Sequence, residues 1–191
     1  MVQSDPARVA ALATQSLIAL RRSPGHEDRS DRNWKDRAFH AETLRDSAGV
    51  KAVVVADADP ARARILADKL VVDASADVRS LYAGGLDGVV ITAATSAHAA
   101  LIHQGLDAGV PVFCEKPVAL DIPSTIGVVE RAQSDSVPVQ IGFQRRFDQG
   151  YRATRQALQA GELGWIHTLR AITSDAVPPP ADYIPTSGGL F

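Results

Sequence analysis

Glu115-Lys116-Pro117 is the stretch whose residue types most directly suggest proton chemistry. It follows a short apolar run, Pro111–Cys114 (PVFC), so a charged pair stands where a buried strand is expected to end. A lysine held at such an edge and partly desolvated can have a lowered pKa and exchange a proton with a substrate hydroxyl. Pro117 would fix the backbone φ of the turn. The plainer alternative is a surface lysine in a loop. Asp57 is the second candidate, and it too closes an apolar run, Val50–Ala56 (VKAVVVA). A strand-end carboxylate can accept both ribose hydroxyls of an adenosine and repel a 2′-phosphate, which favours NAD over NADP. It can equally cap a turn, a task open to Asp59 as well. The third candidate is the turn from Thr92 and Ala93 through Thr95 and Ser96 to His98. Amides at a helix start there can face a pyrophosphate or a nicotinamide. Thr95 or Ser96 can also simply cap that helix. His98 alone is a weak signal, since such a histidine is often only packed or exposed. Gln144-Arg145-Arg146 follow the last apolar run, and no metal-ligand set is expected.

These residues need a sheet to position them. Val89–Thr92, Pro111–Cys114 and Val137–Phe143 read as further buried strands after Val50–Ala56. Helices are expected between them: one ending in HAETLRDS, one opened by Asp59-Pro60, one from Ser96 to Ala108 and one from Ile122 to Gln133. Gly109 follows the third of these as a left-handed cap would require. Continuously apolar strands alternating with helices predict an α/β protein, a Rossmann-like doubly wound parallel sheet covered on both faces. Ligands then bind at the carboxyl ends of the strands, where every candidate above lies. Beyond Asp148 the pattern changes to one helix, Gly150–Ala160, and a longer alternating strand, Trp165–Ser174. That reads as the start of a second, α+β domain. The expected segments are 1–37, 38–147 and 148–191.

Composition narrows the class. The chain has 191 residues, a net charge of -2 and 46% hydrophobic content, which suits a soluble globular protein. That charge gives no long-range pull toward nucleic acid or membrane, and no apolar run reaches the roughly 20 residues of a membrane span. A single cysteine, Cys114, excludes an internal disulfide and fits a cytoplasmic location. Near the N-terminus, Asp5-Pro6 reads as a helix start ahead of the apolar Val9–Leu20. Pro24–Arg37 is charged, lacks an apolar period and reads as a disordered linker.

The segment VFCEKPVALD, preceded by DGVVITAATSAHAALIHQGLDAGV and followed by VQIGFQRRFDQGY, resembles the Gfo/Idh/MocA family of oxidoreductases. Within that family, GFQRRFD and TSDAVPPPADYIPTSGGLF resemble the inositol 2-dehydrogenases. The likeness runs from His40 to Phe191. It implies a Rossmann domain, a second α/β domain with an open sheet, and NAD(P)-dependent oxidation of a sugar or cyclitol hydroxyl. It implies that Lys116 is the catalytic lysine and that Glu115 lies near the nicotinamide. Arg145 would lie near the cofactor end of the cleft. The family also implies a homo-oligomer. Ala94 departs from it, since many members have proline there, and this changes the stiffness of the turn.

Two further departures are larger. The family opens with a strand and a G-x-G-x-x-G turn whose bare backbone approaches the pyrophosphate. No such turn precedes His40, so the first strand and its glycine turn are expected to be missing or replaced. Read one nucleotide later, with suitable codons, HEDRSDRNWKDR becomes M-K-I-G-V-I-G-T-G-R-I-G. A displaced reading frame over the N-terminal segment therefore stands beside a divergent N-terminus. Family members also continue past S-G-G-L-F into a segment with an aspartate and a histidine that act with the lysine. A truncated dehydrogenase of impaired activity is expected on this basis. The alternative is a non-catalytic module for ligand binding or subunit interaction. His167 is expected to be packed or exposed on a sheet face rather than to act as a base.

Overall fold

A computed structural model describes residues 39–83 and 85–172, with the backbone of residues 15–18. The chain divides into two compact units, Met1–Gly142 and Phe143–Phe191. The first holds one six-stranded sheet. Its strands are β1 (Gln15–Ile18), β2 (Val53–Ala56), β3 (Asp73–Ala74), β4 (Val89–Ile91), β5 (Val112–Cys114) and β6 (Val139–Ile141). Their order is β3-β2-β1-β4-β5-β6 and every pairing is parallel. The helices of this unit are α1 (39–45), α2 (Pro60–Leu70), α3 (Val78–Ala83), α4 (Thr95–Asp107) and α5 (Ile122–Asp135).

Strand alternation explains why both faces are apolar. Val53 and Val55 of β2 pack with Ala41, Leu66 and Leu70 on one face, the face of α1 and α2. Ala56, Val89, Ile91, Val112 and Cys114 pack on the other with Leu101, Ile102 and Leu106 of α4 and Val128 of α5. Successive side chains point to opposite faces, so each strand must be apolar throughout. The predicted doubly wound sheet is therefore the observed one.

Local chemistry sets the helix ends. Asp59 caps α2 by accepting Ala61 N–H at 3.0 Å, with Pro60 as the first helical residue. Asp121 caps α5 by accepting Ser124 N–H at 2.7 Å. Gly109 follows α4 at φ +66°. Gly105, inside α4, sets the spacing to the sheet, because a Cβ there would lie 2.5 Å from Val112 Cγ2.

Three expectations change. The helix read from Asp5-Pro6 does not hold at residues 15–18, which form β1 between β2 and β4. Two parallel strands with an empty slot between them would leave ladder N–H and C=O groups unpaired, and QSLI fills that slot. The first strand is thus replaced rather than missing. The remainder of segment 1–37 lies outside the described residues. β3 and α3 were not expected, because a two-residue edge strand and a six-residue helix carry too short a pattern to register.

In the second unit, Gln144–Phe147 forms a 3₁₀ turn and α6 spans Gln149–Gln159. The strand expected over Trp165–Ser174 is not formed across residues 165–172. No described strand pairs with them, and Trp165 and Leu169 are each 80% exposed. An alternating pattern without a neighbour cannot close a ladder. Thr173 and Ser174 lie outside the described residues.

Candidate functional site

Parallel pairing brings the ends of β2, β4 and β5 to one edge of the sheet. Asp57, Thr92 and Glu115 are the first residues beyond those ends. The sequence candidates of the first unit thus meet at the carboxyl edge, where a doubly wound sheet receives its ligands.

Glu115 is the most constrained of them. Its N–H donates to Ile91 O at 2.9 Å, which extends the β4–β5 ladder by one bond. Its Oε1 meets His40 Nε2 at 2.9 Å, and its Oε2 accepts Lys116 N–H at 3.3 Å. The hydrogen bond from His40 holds the carboxyl below the usual carboxylate range, against the opposing effect of burial. Gly142, just past β6, makes room for that carboxylate, because a Cβ there would come within 3.0 Å of Oε2. Lys116 itself is exposed. The partial desolvation expected of it is not supplied by the described residues of this unit.

Asp57 is only 4% exposed, and its Oδ1 accepts Asp59 N–H at 2.9 Å. The helix cap belongs to Asp59, while Asp57 accepts the N–H two residues on, as a turn aspartate does. After β4, Thr92 is buried and its hydroxyl has no partner among the described residues. A buried hydroxyl without a partner is costly unless something else completes it. α4 begins with Ala94 at its N-cap position and no side-chain capping bond, so neither Thr95 nor Ser96 serves as the cap. Ser96 is exposed in the first turn of α4, and Ala93 is buried beside it. His98 turns inward instead, at 2% exposure, with Nδ1 2.6 Å from Pro117 O and Nε2 3.0 Å from Ala93 O. Each ring nitrogen faces a backbone carbonyl, and which of the two donates depends on the tautomer.

Arg145 belongs to the second unit. Its guanidinium donates to Tyr151 Oη at 2.6 Å and lies over the same ring, 5.6 Å from the centroid. His167 is exposed and stacks edge-on against Trp165, with ring centroids 3.9 Å apart. Two residues of the site escaped sequence reasoning. His40 is a single histidine at a helix start, 75 positions from Glu115, with no local signal of the pairing. Gly142 looked like an ordinary strand-end glycine, and its role depends on a side chain that another strand brings alongside.

A six-stranded parallel sheet with an acid after its second strand and an acid–lysine pair after its fifth defines a dinucleotide-binding α/β protein. The chain belongs to the GFO_IDH_MocA oxidoreductase family with NAD-binding Rossmann fold, whose profile matches residues 35–143. It is 41% identical over 155 residues to a myo-inositol dehydrogenase of Streptomyces leeuwenhoekii, covering 81% of this chain and 47% of that protein. It is 35% identical over 156 residues to an inositol 2-dehydrogenase of Rhizobium meliloti (strain 1021), covering 80% and 46%. Its fold is similar to that of a myo-inositol dehydrogenase from Lactobacillus casei in complex with NAD(H) and myo-inositol. The TM-score is 0.67 at 26% identity, over 79% of this chain and 42% of that one. The chain spans about half the length of the curated relatives it matches.

Proposed function

We propose that this chain carries the cofactor side of an NAD-dependent oxidoreductase acting on a sugar or cyclitol hydroxyl, with myo-inositol as the leading substrate. The observation that carries this is Glu115-Lys116-Pro117 standing at the carboxyl edge of the sheet in a chain 41% identical to a myo-inositol dehydrogenase. The residues present fit a dinucleotide. Asp57 offers a buried carboxylate where an adenosine ribose would lie, and that charge favours NAD over NADP. Thr92 offers a buried hydroxyl that lacks a partner among the described residues, and Ala93 and Ser96 border it. When bound, NAD supplies a hydride acceptor for the carbon being oxidised.

The chain's own task is then proton handling. Lys116, at the edge and open to solvent, takes the proton that leaves the substrate hydroxyl as a carbonyl forms. Glu115 keeps a negative charge beside it. Arg145 is proposed for the cofactor end of the cleft, and His98 for the support of the turn that meets the cofactor. A small polyol partner, a homo-oligomeric assembly and a cytoplasmic location go with this reading. The lone buried Cys114 is consistent with a reducing compartment, and no helix among the described residues is long and apolar enough to cross a membrane.

One observation favours a second reading, a non-catalytic binding or subunit-interaction module. Between Ile18 and Phe39 the sequence holds a single glycine, Gly25, where a phosphate-binding turn needs several. Impaired turnover follows from that difference as well. Titrating the full chain with NADH and following nicotinamide fluorescence separates the readings, together with assays of myo-inositol oxidation. Saturable NADH binding is expected, with weak turnover that Lys116→Ala lowers by about a hundredfold or more. Binding without any turnover supports the module. Turnover unchanged in Lys116→Ala overturns the role given to the lysine.

A further inference from the structure

The Glu115-Lys116-Pro117 turn is gripped from both ends by histidines. On one side, His40 of α1 rests its ring against Phe113 of β5, with centroids 5.9 Å apart. From there Nε2 reaches Glu115 Oε1 at 2.9 Å. The second oxygen of the same carboxylate accepts the Lys116 N–H at 3.3 Å, so His40 acts on the lysine's backbone through one intervening group. Gly142 lets the carboxylate lie close against the chain leaving β6. Gly142 N–H in turn donates to Cys114 O at 2.8 Å, which closes the grip around the residue just before Glu115.

On the other side, buried His98 of α4 stands between Pro117 O and Ala93 O at 2.6 and 3.0 Å. Pro117 O or Ala93 O accepts a hydrogen bond according to which ring nitrogen carries the hydrogen, and both accept only when both nitrogens do. Pro117 has no N–H of its own, so its carbonyl is the backbone handle by which this residue can be held. His98 thus ties the end of the turn to the loop after β4. Lys116 is the exposed middle residue of a tripeptide whose two neighbours are held by side chains of different helices, α1 and α4.

We propose that His40 and His98 are positioning residues that fix the Glu115-Lys116-Pro117 turn from opposite sides, so that the Lys116 side chain leaves the sheet edge in one direction. This rests on Lys116 being the proton-transfer group. An exposed lysine has a long flexible stem, and productive proton transfer needs its amine held to within about an ångström. Among the described residues nothing packs on its side chain strongly enough to bury it, so the backbone from which it departs carries that task. Neither histidine is placed to touch substrate with a nitrogen already engaged by Glu115, Pro117 or Ala93.

Amide hydrogen exchange on the full chain tests the proposal without requiring turnover. His40→Ala is expected to speed exchange at the Lys116 amide by about tenfold, the factor that one hydrogen bond of ordinary net strength represents. Exchange in β2 and α5 should stay within about twofold, since they do not depend on this contact. His40→Gln, whose side-chain amide can still donate to Glu115, should restore the protection. His98→Phe keeps a ring of similar shape without a donor and should speed exchange at the Lys116 amide, the hydrogen-bonded N–H of the turn. It also serves where His98→Ala does not fold. Unchanged exchange at Lys116 in the folded variants overturns the proposal. If the chain turns over myo-inositol, His40→Ala should lower kcat while moving KM less than about twofold. A Lys116→Ala variant that keeps full turnover ends the proton-transfer reading, while the exchange result stands or falls separately.

Discussion

Glu115 is the charged side chain at the sheet edge that an ionic hydrogen bond holds in place. Its carboxyl is held below the ordinary range first by the His40 hydrogen bond, with burial opposing. A carboxyl with a lowered folded-state pKa contributes stability that is present above its unfolded value of about 4.3. That contribution is lost as pH falls through the folded value. The full chain is therefore expected to lose stability as pH falls below about 4.3, and Glu115→Gln should flatten part of that slope. Urea midpoints measured across the range decide it, and an identical slope in the variant would show that the pair is energetically silent. Cys114, at the neighbouring position, behaves oppositely. Burial beneath the sheet edge pushes its thiol up to about 12, so it is an inert core residue in the folded chain. Side chain and neighbourhood together separate these two adjacent residues.

At the scale of elements, the close approach of α4 to β5 is the feature most sensitive to one atom. A methyl group on Gly105 would lie 2.5 Å from Val112 Cγ2, well inside van der Waals contact. Gly105→Ala is expected to cost about 1–3 kcal/mol despite alanine's better helix propensity, because the overlap sits in the packed core. Thermal or urea unfolding reads this, and a variant as stable as the wild type would mean that α4 moves freely over the sheet. The ends of α4 and α5 are also joined, as Arg131 of α5 reaches Asp107 of α4 and Asp135 of its own helix. These groups are exposed, so they contribute alignment more than stability. Most of the helices were legible in the sequence, since their apolar spacing and their caps lie within a few residues. Trp165–Ser174 shows the limit of that approach. Its alternation suits a strand, but a strand exists only with a partner, and partners are not a local property.

For the whole molecule, the order β3-β2-β1-β4-β5-β6 explains why residues 57, 92 and 115 share an edge although they are far apart in the chain. It also assigns the central slot to Gln15–Ile18. The connection from β1 to α1 is where a glycine turn would normally cradle a pyrophosphate, and its residues here are charged and nearly free of glycine. The coding DNA for residues 26–37 is expected to read Gly-x-Gly one nucleotide later, as the displaced-frame proposal requires. Codons that cannot do so would leave a divergent N-terminus as the explanation.

Periodicity and end signals in the sequence determined the fold class and strands β2, β4, β5 and β6. The motif after β5, with the sheet edge it implied, was enough to single out Lys116. Those features are local: apolar runs, caps and a charged tripeptide at a strand end are written in consecutive residues. Tertiary structure alone decided that QSLI becomes the central strand, that His98 is bound to Pro117 and that His40 reaches Glu115. Each of these depends on groups separated in the chain and brought together by the crossovers of the parallel sheet. The turn that carries Lys116 is therefore announced by its sequence but held in place by residues that its sequence does not mention.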